Sequence, residues 1–223
     1  MRINILQHTP NEGPGSILDW AQANGHQTFI YHPYQFGYLP TVDETNLLVI
    51  LGGPMSPNDD LLWIKQEREL IQELLNKDIP MFGACYGAQQ IAKTLGYAIS
   101  KAPAKEVGWG PVYRQSQIIP DIPEELVALH WHEEMFEVPK EAELLFSSDA
   151  VKNQGFVMNH RVVGLQFHFE PLADNVREMV INDFPYIQGS IFNQTADDIL
   201  ETPVPDINRA IMFKILDFIT ADK

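Results

Sequence analysis

Two rhythms of apolar residues alternate along the first hundred positions. Short β-rich runs at 2–7, Gln27–Tyr31, 46–51 and 79–84 read as strands. The run Leu47-Leu48-Val49-Ile50-Leu51 is apolar at every position, as suits a strand covered on both faces. Between these runs the period changes. Ser16-Ile17-Leu18-Asp19 resembles a capping box and predicts a helix that stops at Asn24-Gly25. From about 59 to 76, Trp63, Leu70 and Leu74, with Ile64, Ile71 and Leu75, fall at helical spacing. A further helix over 87–95 is closed by Gly96. Strand and helix in alternation predict an α/β fold: a mostly parallel central sheet with helices on both faces. In such sheets ligands sit at the carboxyl ends of the strands. Gly52-Gly53-Pro54 and Cys85 both fall at such ends, on adjacent candidate strands.

The second half is richer in turns. Candidate strands at 106–114, 126–131, Glu143–Ser147, Gly155–Met158 and 162–168 suggest a short second β layer. Beyond Pro171 the pattern turns helical, with Leu172, Val176, Met179 and Val180 on one face. Thr195-Ala196-Asp197-Asp198 looks like another helix start, and Ile207, Ile211, Ile215 and Ile219, four apart, make a final amphipathic helix. No repeat or low-complexity linker divides the chain. Residues 1–223 therefore read as one domain, with 185–223 a helical extension packed on it.

Charge narrows the range of functions. With 15 Lys and Arg against 30 Asp and Glu, the net charge is −15, which disfavours nucleic-acid and anionic-membrane partners. The apolar run at the N-terminus is too short for a signal peptide, and no stretch reaches membrane-span length. One cysteine rules out an internal disulfide and fits a reducing compartment, so a soluble cytoplasmic protein is expected.

That cysteine lies in Gly83-Ala84-Cys85-Tyr86-Gly87-Ala88-Gln89, where a strand should turn sharply into a helix. This is the layout of a nucleophile elbow, and helix N-terminal donors favour a thiolate. On Cys85 alone, a buried structural thiol is an equally good reading. A cysteine nucleophile needs a base and a group to orient it. In Gly164-Leu165-Gln166-Phe167-His168-Phe169-Glu170-Pro171, strand alternation puts His168 and Glu170 on one face. Gly52-Gly53 and the N–H of Tyr86 could supply oxyanion donors.

The elbow, the upstream Gly52-Gly53-Pro54 and the downstream His168-Phe169-Glu170-Pro171 resemble, in order and spacing, the class I (triad-type) glutamine amidotransferases. The likeness is greatest to stand-alone proteins similar to the amidotransferase domain of GMP synthase, to which 51–57, Val107-Gly108-Trp109 and His130-Trp131-His132 add. The resemblance implies that family's flavodoxin-like fold and a Cys85, His168, Glu170 triad that hydrolyses the amide of glutamine through a γ-glutamyl thioester. It implies oxyanion donors at Gly53 and Tyr86, and substrate contacts from Gly52, Gln89, Gly108, Trp109 and His132. Tyr86 and Ala88 depart from the family's usual Leu and His or Met, which puts pocket shape in question. No Gly-x-x-x-x-Gly-Lys-Ser/Thr loop occurs, and Asn11-Glu12-Gly13-Pro14-Gly15-Ser16 reads as a helix entry rather than a nucleotide cradle. Ammonia would pass to a synthetase partner chain, or the enzyme would act alone on glutamine or a γ-glutamyl peptide. A non-catalytic binding module on the same fold, and a homodimer, stay open. No cofactor is expected. His130-x-His132-Glu133-Glu134 has two histidines on one strand face but no evident third ligand, so these residues are read as flanking the cleft, with no metal. His8, His26, His32 and His160 read as surface or loop histidines, and Trp20, Trp63 and Trp109 as core.

Overall fold

Four apolar residues with no polar neighbour to expose, Leu47–Ile50, form β3, and all four are buried. In the computed structural model, which describes residues 1–221, β3 lies between β1 (Arg2–Leu6) and β4 (Met81–Ala84), with β2 (Gln27–Tyr31) at the edge. These pairings are parallel, and β4 pairs in parallel with β9 (Val162–Leu165). Alternation along β3 serves two layers at once. Leu47, Val49 and Leu51 pack with Ile17 and Trp20 of α1 (Ser16–Ala23), and with Ile211, Ile215 and Ile219 of α7 (Asp206–Thr220). Leu48 and Ile50 pack on the other side with Ile71 and Leu74 of α3 (Leu62–Asn76), and with Ala88 and Ile91 of α4 (Tyr86–Thr94). The central sheet is mostly parallel with helices on both faces, as the alternating pattern predicts.

The turn-rich half does not stand apart as its own layer. β8 (Gly155–Met158), β7 (Glu143–Ser147), β5 (Ile99–Arg114) and β6 (Glu125–Phe136) continue the same nine-stranded sheet by antiparallel pairing. The junction is short: Tyr113 opposite Ser147 and Arg114 opposite Phe146. A four-residue α2 (Pro33–Phe36) follows β2. The long β5–β6 hairpin is covered by α5 (Ala173–Asp183) and α6 (Ala196–Glu201). Val176, Met179 and Ile199 enclose Val107, Trp109, Leu129 and Trp131 there.

Local expectations shift where a tertiary partner replaces a local one. The Ser16 side chain does not cap α1. Gly15, at φ 49, precedes the helix, and the Ser16 N–H donates 2.8 Å to the Glu170 carbonyl oxygen. Strand β9 ends at Leu165 rather than 168, and the chain bends at 166–167 and again at 169, with an isolated bridge between Leu129 and His168. Helix α3 starts at Leu62 because 56–59 forms a turn in which the Ser56 N–H donates to the Asp59 carboxylate. Among the described residues no helix is long and apolar enough to cross a membrane.

The final helix contributes to the central core, so Ile215→Ala should cost about 2–5 kcal/mol of unfolding free energy in urea titration. A change below about 0.5 kcal/mol would mean that α7 is only loosely attached.

Candidate active site

Between β4 and α4 a single residue makes the turn. Cys85 has φ 49 and ψ −109, a backbone conformation that costs a side-chain-bearing residue about 1–3 kcal/mol. Neighbouring structure holds it there. The Cys85 N–H donates 2.7 Å to the Leu165 carbonyl, and its own carbonyl accepts from the Gln89 N–H at 3.1 Å. Helix α4 also starts against β3, since any Cβ at Gly87 would collide with the Ile50 carbonyl oxygen. The thiol therefore stands at the carboxyl end of the sheet, in a cleft of about 660 Å³ that it lines with Glu12, Gly53, Gln89, Trp131 and His132.

Around the sulfur the polar groups form one chain. Gln89 Nε2 donates 3.2 Å to Gln166 Oε1, Gln166 Nε2 donates 3.7 Å to Cys85 Sγ, and Sγ lies 3.8 Å from the Trp131 carbonyl oxygen. His168 Nδ1 is 2.6 Å from Glu170 Oε1, both residues being buried, while His168 Nε2 has no protein partner. Burial disfavours a charged His168, yet the Glu170 carboxylate and the Cys85 sulfur outweigh it and hold the imidazole well above its usual range. Burial holds the Cys85 thiol above its ordinary range, and the charge of nearby His168 only partly offsets this. The sequence brings Cys85, His168 and Glu170 from two distant segments into mutual electrostatic reach. That arrangement can pass a proton from thiol to imidazole.

Gly52 and Gly53 follow β3 directly. A Cβ at Gly52 would collide with Glu12 Oε2 and lie 3.1 Å from His168 Cε1, so only glycine admits both side chains. Tyr86 and Ala88, the two departures from the family pattern, do not line the cleft. The Tyr86 ring packs 4.7 Å from His8 and 6.3 Å from Trp63, and Ala88 lies in the core under the sheet. Gly108 and Trp109 also lie outside the cleft lining. The Trp109 N–H donates to Gln194 Oε1 at 2.8 Å, its indole donates to the Ile199 carbonyl, and a Cβ at Gly108 would strike Gln194. His132 and Gln89 do border the cleft.

Sequence reasoning missed three participants. His8 is not a surface residue but fully buried, with Nδ1 3.1 Å from the Leu51 carbonyl oxygen and Nε2 2.8 Å from Glu67 Oε2. Glu67 also accepts from Gln90 Nε2 at 3.1 Å, so this network braces the loop at Gly52-Gly53 from below. Glu12, read as part of a helix entry, reaches over Gly52 to the imidazole. Burial, with the Glu170 charge, pushes its carboxyl up to about 7 against the pull of His168. Gln166 is the third. Two signals could have found them: His8 follows β1 at the same sheet end as Cys85, and Gln166 shares the face of His168 by strand period.

A strained cysteine elbow at a parallel-sheet end, with a buried His–Glu pair beside it, places the fold among α/β proteins built around such a turn. Residues 22–185 match the family model "Glutamine amidotransferase class-I", and the chain belongs to that family. It is 28% identical over 191 residues to the glutamine amidotransferase-like protein YfeJ of Salmonella typhimurium, covering 81% of this chain and 80% of that one. It is 27% identical over 187 residues to the glutamine-hydrolysing GMP synthase of Cytophaga hutchinsonii, where the match spans 81% of this chain but only 35% of the synthase. The crystal structure of a glutamine amidotransferase from Thermotoga maritima superposes with a TM-score of 0.90 at 26% identity, covering 100% of this chain and 99% of that one.

The raised Glu12 carboxyl generates a pH dependence. A carboxyl that binds its proton more tightly in the folded chain supports the fold at low pH, and that support is lost as pH rises from 4.5 through about 7. Glu12→Gln should therefore melt with the wild type at pH 5 and above it at pH 8, by roughly 2–4 °C for each kcal/mol of relieved charge burial. An equal shift at both pH values would show that the carboxylate is not strained by its surroundings.

Proposed function

We propose that the protein hydrolyses the side-chain amide of glutamine, or of a related γ-glutamyl compound, and passes the ammonia to an acceptor on a partner chain. The observation that carries this reading is the Cys85 elbow opening on the cleft with His168–Glu170 beside it. His168 takes the thiol proton as Cys85 Sγ adds to the amide carbon. The backbone N–H groups of Tyr86 and Gly53 meet the oxyanion. His168 then gives the proton to the departing nitrogen, and ammonia leaves a γ-glutamyl thioester. Water, losing a proton to His168, attacks that thioester, and glutamate departs as the thiol is restored. Glu170 orients the imidazole and stabilises its charged form. Gln89 and His132, at the cleft wall, are the proposed substrate contacts along with Gly52. Gly108 and Trp109 would act on the substrate only through the hairpin they stiffen.

Two features bear on the substrate and partner. The cleft falls in the size range of sites for drug-sized ligands, which leaves room for a γ-glutamyl peptide as well as free glutamine. The GMP synthase relative carries a further two-thirds of chain beyond the matched region, and its name couples glutamine hydrolysis to synthesis. By that likeness, a separate synthetase chain would take the ammonia here.

Glutamate release from glutamine and from γ-glutamyl dipeptides should fall by about 10³-fold or more in Cys85→Ala and in His168→Asn, with the thermal transition retained. Equal release by wild type and Cys85→Ala would overturn the assignment. A preference for dipeptides over glutamine would select the stand-alone peptidase reading.

A further inference from the structure

At the far end of the sheet, on the β5–β6 hairpin, a second group of side chains converges, of which His132 alone also borders the cleft. In the β5–β6 register Glu106 stands opposite His132, and Gly108 opposite His130. Directly opposed residues share a face, and so do residues two apart, so Glu106, His130 and His132 meet on one side of the hairpin. Glu106 Oε2 is 3.2 Å from His132 Nε2 and 3.5 Å from His130 Nδ1, and one ligand atom of each residue lies within 4.8 Å of the others. All three side chains are buried.

The donors and acceptors of this group do not match. His132 Nδ1 sits 3.2 Å from the Glu134 carbonyl oxygen, an acceptor, so that nitrogen carries the N–H. In the neutral ring Nε2 is then a bare lone pair, and it faces a carboxylate oxygen. His130 Nδ1 faces the same oxygen, and neither of its ring nitrogens makes a hydrogen bond. Glu106 Oε1 is occupied by the Ser148 hydroxyl at 2.6 Å. Gln154 brings its amide nitrogen to Glu106 Oε2, to Ser148 Oγ at 3.1 Å and to within 3.5 Å of His132 Nε2. Two amide hydrogens cannot serve a carboxylate, a hydroxyl and the His132 imidazole at once, and none reaches His130. A bare His132 Nε2 facing the Glu106 carboxylate, and a buried His130 with neither ring nitrogen hydrogen-bonded, are costly in a dry interior.

A divalent cation resolves that conflict, and the spacing suits one. Tetrahedral zinc with bonds near 2.0–2.1 Å separates its ligand atoms by about 3.3 Å, close to the two distances seen here. The Glu134 carbonyl behind His132 is the kind of outer partner that fixes the tautomer of a metal-bound imidazole. A half-turn of the Gln154 amide presents Oε1, which is buried and unpartnered, as a fourth donor. We propose that Glu106, His130 and His132, with Gln154 beside them, bind a divalent transition-metal ion of the zinc type. The expectation of no metal at His130 and His132 rested on a missing third ligand. Strand pairing, not sequence proximity, supplies it as Glu106. Trp131 lies between the two histidines, and its carbonyl oxygen meets Cys85 Sγ. The ion therefore acts as a positioning element, tying β5 to β6 where the hairpin touches the thiol. The site stands whether or not glutamine is the substrate.

The test uses Cys85→Ala protein, so that the thiol cannot ligate, refolded with zinc or with cobalt(II). Elemental analysis should find one zinc per chain after exhaustive dialysis, and cobalt should give the intense visible bands of a tetrahedral site, displaced by zinc. Glu106→Gln and the His130→Asn, His132→Asn double variant should each weaken binding by about 100-fold or more. Zinc should raise the melting temperature of the parent but not of these variants. Absence of stoichiometric metal in the parent, or only weak octahedral cobalt bands, overturns the proposal even if the variants fail to fold. Undiminished binding by the double variant would assign the metal to exposed histidines and overturn it too. Iron in place of zinc in the parent would overturn the zinc-type assignment.

Discussion

The positive φ of Cys85 is the constraint on which the rest of the molecule depends. A side chain held in that region costs free energy, so every neighbour must favour the turn. The parallel pairing of β4 with β9 delivers the Leu165 carbonyl to the Cys85 N–H. The contact of Gly87 with the Ile50 carbonyl lets α4 start flush against β3. The buried runs of β3 and β4 provide the stiffness. With residues packed on both faces, they cannot shift without opening the core.

Three buried carboxylate–imidazole groups surround this turn: His8 with Glu67, His168 with Glu170, and Glu106 with His130 and His132. Buried charges are tolerated only where partners satisfy them, and breaking one such group leaves an uncompensated charge. Each ties together segments that are remote in sequence. The first links the end of β1 to α3 beneath the glycine loop, the second orients the imidazole beside the thiol, and the third couples the two strands of the long hairpin. Together they fix the floor, the base and the far wall of the cleft.

Much of this was legible in the chain. Period and turn residues located β2, β7 and β8 to the residue, and the elbow motif placed Cys85 between strand and helix. The His168-Phe169-Glu170 spacing foretold a shared face, although β9 ends before it. The misses have one origin. Ser16 looked like a cap, but the Glu170 carbonyl, 154 positions further along the chain, had already met its N–H. His8 and Glu12 looked like loop residues because nothing nearby in sequence is their partner. Their partners are Glu67, and the space above Gly52 beside His168. Tyr86 and Ala88 looked like pocket residues from their place beside Cys85, yet the first turn of α4 directs both into the core.

By itself, then, the sequence determined the elements, the alternation that builds a parallel sheet, and the cysteine elbow with its candidate His168–Glu170 pair. Those features are written in local period and short motifs, which depend on dihedral preferences and on which face is apolar. Tertiary structure alone decided which carboxylates stand beside which imidazoles, which family-typical residues line the cleft, and that a third ligand-type side chain joins His130 and His132. Those depend on strand order and register. A register is a property of two segments at once, and no single stretch of chain records it.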